Sequence, residues 1–148
     1  MNGTDQSVSL HKPASSGEWA AYHDIRRRIL FENRGRFGVY DPHRPDEHRP
    51  DNFPLLLSTI DGFVGVIRID VRGDVALFRR VAIDSPWQRR GLGRKLLELA
   101  EAFARDHGAK RAESAVAPDA VPFYEKCGYH RLHGVTPIGE SVKMAKEL

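Results

Sequence analysis

The sequence predicts an α/β (α+β) fold, a mixed and mostly antiparallel sheet flanked by helices, and three observations carry that expectation. Asp61-Gly62 and the turn Arg72-Gly73-Asp74 join three consecutive apolar runs into an antiparallel meander. A long amphipathic stretch from Gly91 to His107 packs on that sheet and leads into a further strand. At 148 residues, 41% hydrophobic and 29% charged, the chain can bury one substantial core with little room for a second, so a single domain over residues 1–148 is expected.

In chain order, Val8–Lys12 reads as a first strand, and Glu18–Phe31 as a helix with Ser15 or Ser16 as N-cap and an end near Gly35. Residues 33–53 carry Pro42, Pro45 and Pro50 among many charges, which predicts a long irregular segment with one short helix, of a kind that is often functional. Leu55–Ile60, Phe63–Val71 and Val75–Ile83 are the meander strands, and Arg72-Gly73-Asp74 is read as their turn and nothing more. Leu92, Leu96, Leu99 and Phe103 recur at helical spacing, with Glu98, Glu101 and Arg105 directed elsewhere and Gly108 as the stop. Lys110–Val116 is the next strand, Val121–Lys126 a short helix, and Tyr129–Leu132 and Ser141–Ala145 are two weaker closing strands.

Gln88-Arg89-Arg90-Gly91-Leu92-Gly93 puts two glycines at the start of the long helix, directly after an apolar strand. A helix start leaves backbone N–H groups without partners and carries the positive end of the macrodipole, so it can bind an anion with no side chain involved. Arg89, Arg90, Arg94 and Lys95 add four cations where the dipole favours Asp or Glu. The combination calls for a polyanionic ligand. Spacing excludes two familiar phosphate loops. One residue separates Gly91 from Gly93 and Leu96 follows Lys95, so neither the triphosphatase loop G-x-x-x-x-G-K-[ST] nor the dinucleotide fingerprint G-x-G-x-x-G is present.

What remains, [Q/R]-x-x-G-x-[G/A], resembles the coenzyme A loop of the GNAT family of N-acetyltransferases. The likeness spans Val75 to Tyr129 and includes a second motif about thirty residues beyond Gly93, Phe123-Tyr124-Glu125-Lys126-Cys127-Gly128-Tyr129, similar to the family's F-Y-E-K-x-G-[FY]. The stretches Arg26–Gly35 and Gly139–Lys146 look like a subgroup of small members. The resemblance implies a sheet splayed between the strand before the glycine loop and the strand after the long helix, with the pantetheine arm of acetyl-CoA inserted there. It implies that the backbone of Val81, Ala82 and Ile83 pairs with that arm, and that Gln88, Arg89, Arg90, Gly91, Leu92, Gly93 and Arg94 hold the pyrophosphate. An ordinary core role for Val81–Ile83 is compatible with this, because the pairing uses the main chain.

Acetyl transfer to an amine needs a deprotonated nucleophile, an oxyanion stabiliser and an acid for the departing thiolate. Tyr124 is the candidate acid, at a position where the family commonly uses a tyrosine; it also fits an amphipathic core aromatic beside Phe123. Where many members carry Asn or Gln just upstream, this chain reads Val116-Ala117-Pro118-Asp119, so one polar cofactor contact is missing. Glu32, Glu47 and Glu113 are candidate general bases. Glu113 ranks first for its place on the strand after the long helix, although a solvated strand residue is an equal reading. Arg79 and Arg80 should point to opposite faces of their strand, so only one can face a ligand.

The segment Asp41–Asp51 gathers two histidines and several carboxylates, yet His43 and His48 stand five apart with prolines between them, so no metal is expected. His130 and His133 read as surface residues. With Cys127 as the only cysteine, no apolar run near the roughly 20 residues that span a bilayer, and a polar Met1–Ser7 unlike a signal peptide, a cytoplasmic protein with no membrane partner is expected. The formal charge of +3 comes mainly from the glycine loop and the early helix, which a phosphorylated cofactor explains better than nucleic acid. The expected partner is a small-molecule or peptide amine acceptor; a homodimer is among the assemblies the sequence allows. A noncatalytic acyl-CoA-binding sensor is the alternative from a different class, sharing the loop without needing Tyr124.

Overall fold

The computed structural model describes residues 7–132 and 141–148. His133, Gly139 and the polar start Met1–Gln6 lie outside the described residues. Among the described residues the strands β1 (Val8–His11), β2 (Asn52–Thr59), β3 (Gly62–Arg72), β4 (Val75–Ile83), β5 (Arg111–Val116), β6 (His130–Arg131) and β7 (Val142–Glu147) form one sheet. Its order is β1-β2-β3-β4-β5-β7-β6, and every pairing is antiparallel except β4 with β5. A parallel neighbour cannot be reached by a tight turn, and the helix α2 (Leu92–Asp106) makes the required crossover.

Helix α1 (Ser16–Ile25) starts at Ser15, whose hydroxyl accepts from the Glu18 N–H at 3.1 Å while the Glu18 carboxylate takes the Ser15 N–H at 3.2 Å. It is shorter than the periodicity predicts. From Arg26 to Phe31 the chain widens into a π-helical turn, followed by a tight turn at Glu32–Arg34 and a left-handed Gly35. Residues 36–51 are irregular apart from one short 3₁₀ turn, Pro45–His48. Strand β2 begins three residues earlier than expected and accommodates Pro54, because β1 pairs only with Leu56–Thr59 and the flank at Pro54 is a sheet edge.

Two cores result. On one face α2 and the short helix α3 (Val121–Lys126) bury Leu96, Leu97, Ala100 and Tyr124 against Leu55, Ile67, Ile69 and Phe78. On the other face α1 buries Tyr22 and Ile25 against Leu56, Val66 and Ala82. The inward face of α2 is rotated from the expected one: Leu99 and Phe103 sit at its margin, and Glu101 is buried instead of directed away. Glu101 is accommodated because the Tyr129 hydroxyl (2.7 Å) and the Lys146 ammonium (3.0 Å) both donate to it.

Gly65 sets the approach of β3 to the end of β4. A Cβ there would lie 2.8 Å from Ile83 Cδ1 and 2.9 Å from the Ala82 carbonyl oxygen, and the second of these is backbone that cannot swing away. Gly65→Ala should therefore destabilise the fold by about 1–3 kcal/mol, the usual cost of overpacking. Urea unfolding checks it; a midpoint equal to the parent's would show that the strands can separate without cost.

Candidate active site

Strands β4 and β5 share hydrogen bonds only over Val75–Phe78 and Arg111–Ser114. The Ser114 hydroxyl donates to the Phe78 carbonyl oxygen at 3.0 Å and closes the paired stretch. Past it, β4 runs on to Ile83 bonded to β3, and β5 runs on to Val116 bonded to β7. Val81 and Ile83 pack into the α2 core and Ala82 into the α1 core, so their side chains hold the strand while its main-chain edge faces the gap. Such an edge suits an added extended segment, since backbone groups shut away from water need partners.

The glycine loop lies at the end of that gap. Arg89 (φ 63°) and Gly91 (φ 80°) are both left-handed with Arg90 between them, an alternation that turns successive amides toward one concavity. The first helical bond of α2 runs from the Lys95 N–H to the Gly91 carbonyl oxygen at 3.2 Å, and no side chain caps the helix. The N–H groups of Leu92, Gly93 and Arg94 therefore precede the ladder. The two glycines serve different ends: Gly91 supplies the left-handed N-cap, whereas a Cβ on Gly93 would meet the Phe123 ring at 3.1 Å.

Side chains in the loop are less available than the sequence implies. Gln88 donates to the Ile83 carbonyl oxygen at 2.8 Å and ties the loop to β4. Arg94 donates one guanidinium N–H to the Lys126 carbonyl oxygen at 2.8 Å, capping α3, which fixes the side chain beside the helix start. Leu92 is anchored in the core. Arg89, Arg90 and Lys95 are exposed, with the Arg90 guanidinium 5.3 Å from the Trp87 ring centre.

Tyr124 is 6% exposed, its ring perpendicular to those of Phe123 and Tyr129 at 5.6 and 5.4 Å. Burial pushes its phenol up to about 12, and the neighbouring Ser114 hydroxyl pulls it partly back. Ser114 also lines a 500 Å³ cleft on the α1 side of the sheet, so this one residue neighbours both the phenol and the cleft where β4 and β5 part. Ala117 and the turn Pro118–Ala120 follow β5 and offer no amide side chain.

The cleft is walled by the π-helical turn, the 36–47 segment, β4 and β5. Of its four carboxylates, Asp46, Glu47 and Glu113 pair with cations, while Asp41 accepts from the His43 N–H at 2.8 Å. Glu47, 4% exposed, binds Arg26 through both oxygens and accepts from the Tyr22 hydroxyl at 2.9 Å. Glu113 reaches Arg111 at 3.0 Å and Lys143 at 3.3 Å, one oxygen each. Glu32, the third candidate base, does not line the cleft and pairs with Arg27 at 3.3 Å. The expectation that Arg79 and Arg80 diverge is overturned. Arg68 opposes Arg79 and Val66 opposes Ala82, so Arg80 and Val81 together face Ile67 in a β-bulge, with Arg80 left-handed at φ 57°. Both arginines consequently line the cleft. His23 Nδ1 lies 2.5 Å from the Tyr40 hydroxyl at the cleft wall. The sequence carries no signal for that pairing, whose partners stand 17 residues apart.

The sequence model of the acetyltransferase (GNAT) family matches residues 19–129, most of the chain and both of its motifs. The chain belongs to the GNAT family. A GNAT acetyltransferase performs acyl transfer from acyl-CoA, which accords with the parted strands and the open helix start. A candidate N-acetyltransferase from Lactobacillus plantarum is 26% identical over 97% of this chain and 98% of that one, with a TM-score of 0.78. Escherichia coli ElaA (17% identical, 96% and 99% covered, TM-score 0.79) shares the fold. So does the PaiA N-acetyltransferase of Thermoplasma acidophilum, solved in complex with coenzyme A (16% identical, 96% and 99% covered, TM-score 0.73). No helix among the described residues of this GNAT protein is long and apolar enough to cross a membrane.

Glu47 holds the cleft wall of this GNAT fold together. Glu47→Ala would leave Arg26 buried without its counter-charge and the Tyr22 hydroxyl without an acceptor, so a loss of about 3–5 kcal/mol is expected. Urea denaturation measures it. A loss under about 1 kcal/mol would mean that water replaces the carboxylate, as at an exposed ion pair.

Proposed function

We propose that this protein transfers the acetyl group of acetyl-CoA to a primary amine, with the phenol of Tyr124 serving the departing sulfur. The observation that carries the reading is the position of Tyr124 beside Ser114, at the point where β4 and β5 part, with the open start of α2 on one side and the cleft on the other. In this reading the edge of Val81–Ile83 pairs with the pantetheine arm, and the N–H groups of Gly91 to Arg94 bind the pyrophosphate with Arg89 and Arg90 neutralising charge from outside. The amine enters through the cleft. Its nitrogen forms a bond to the thioester carbonyl carbon, the carbon–sulfur bond breaks, and the proton that nitrogen sheds passes through water to the departing sulfur, leaving amide and free coenzyme A thiol.

A phenol near 12 is fully protonated at neutral pH, but full transfer to a thiolate whose acid titrates near 8.5 is uphill by about 5 kcal/mol. Tyr124 therefore acts by donating a hydrogen bond as charge builds on sulfur, a role that grows in the transition state. Glu113 stands on the cleft face of β5, yet both its oxygens are shared with cations, so it orders Arg111 and Lys143 and the nucleophile is the amine's own neutral fraction. That favours an amine of low basicity.

Four measurements test the proposal. Gly91→Val forces a β-branched residue into a left-handed N-cap, and calorimetry with coenzyme A should show binding weakened at least about tenfold in a protein that circular dichroism finds folded. Undiminished binding would remove the loop from the cofactor site. Tyr124→Phe should keep coenzyme A affinity and lower turnover, followed by free-thiol release, by about 10²–10³-fold. Because the phenol loses its proton only near 12, the parent's rate should show no descending limb between about pH 7 and pH 10. Glu113→Gln should cost less than about tenfold; a larger loss would return it to the role of base. Coenzyme A binding with no thiol release for any amine would support a sensor instead.

A further inference from the structure

Arg80 sits in the bulge of β4 at a cost to its backbone. Its left-handed φ of 57° is uncommon for a residue with a branched-free but long side chain and strains the backbone, and such strain concentrates at ligand sites. The bulge turns the guanidinium into the cleft, where it lies 5.2 Å from the ring centre of Phe31; the Arg36 guanidinium lies 4.8 Å from the same ring. Among the described residues neither arginine has a carboxylate partner, whereas the other cleft cations do. Arg26 is held by Glu47, Arg68 and Arg79 by Asp70, and Lys143 by Glu113.

We propose that Arg80, with Arg36 beside it, binds a carboxylate carried by the acceptor itself, so that the substrate is a small amine bearing an anionic group. The cleft volume of 500 Å³ suits a small molecule. Charge selects among amines: Arg80 is pushed down by partial burial and then by the nearby charges of Arg26, Arg44 and Arg68, the field of a site lacking one anion. Planar guanidinium matches carboxylate in a two-point contact, and the same field repels a polyamine. The inference rests on the acetyl-transfer reading for the word acceptor, but the anion site does not.

The test pairs each proteinogenic amino acid with its carboxamide, which keeps the amine and removes the charge, in a free-thiol assay with acetyl-CoA, alongside O-phosphoethanolamine, ethanolamine and spermidine. With kcat/KM referred to the neutral form of each amine, because loss of the carboxylate also makes the amine less basic, at least one amino acid should be used about tenfold or more above its amide. In Arg80→Gln that ratio should fall toward one, and in Arg80→Lys it should survive in part. Arg80→Gly relieves the left-handed strain, so its Tm should be no lower than the parent's while the preference is lost; a lower Tm with the preference intact would make Arg80 structural and overturn the proposal. A preference for spermidine, for amides, or for the phosphorylated amine over every carboxylate would overturn it too. A second arm does not depend on turnover. The Arg80 Nε–Hε signal of isotope-labelled protein, assigned by its absence in Arg80→Gln, is titrated with N-acetylated amino acids and their amides. Movement with acids alone supports the anion site, and if thiol release is then absent for every amine, the transfer reading falls while the site stands. No movement with any acid overturns the inference.

Discussion

Strands β4 and β5 are parallel neighbours that hold each other for only four residues on either side, and the rest of the site is arranged around the gap that follows. A sheet left open in its middle exposes backbone groups that would otherwise stand in a ladder. The fold supports the opening from both faces: Val81 and Ile83 grip the α2 core, Ala82 grips the α1 core, and β7 braces the far flank of β5 along its whole length. The gap is thus rigidly framed, which is what a site that must align a thioester with a nucleophile requires.

Charge in the cleft follows a second rule. Of the acids that line it, Asp46, Glu47 and Glu113 are each matched to a guanidinium or ammonium, and Glu47, the best buried of them, serves both Arg26 and the Tyr22 hydroxyl. Carboxylates spent in this way fix the positions of walls; they are poorly disposed to accept a proton from a substrate. The surplus is cationic and falls on the residue that the bulge presents.

Much of this was legible in the sequence, for reasons of range. Turns at Asp61-Gly62 and Arg72-Gly73-Asp74, the cap at Ser15, the stop at Gly108 and the glycine loop depend on residues within one turn of each other, and all appear close to where local chemistry puts them. The bulge at Arg80 depends on register against β3, and the committed side chains of Arg94 and Gln88 depend on α3 and on the end of β4; no periodicity reports such partners. Glu101 misled the reading because a buried acid looks like a surface acid until Tyr129 and Lys146, distant in sequence, are brought beside it. The widened turn at Arg26–Phe31 was hidden similarly, since a π turn carries ordinary helical residues and shows itself only in its hydrogen bonds.

The strand order also bears on how the protein is made. Since β7 lies between β5 and β6, the two-residue strand β6 leaves the ribosome before the neighbour to which it bonds. With synthesis near 5–20 residues per second, β1 to β4 can assemble as a meander during translation, while β5 waits with one flank bare until β7 arrives. An unpaired strand edge is a template for other chains. Crowded translation should therefore threaten this protein most in the interval between β5 and β7, and a chaperone that shields strand edges would act there.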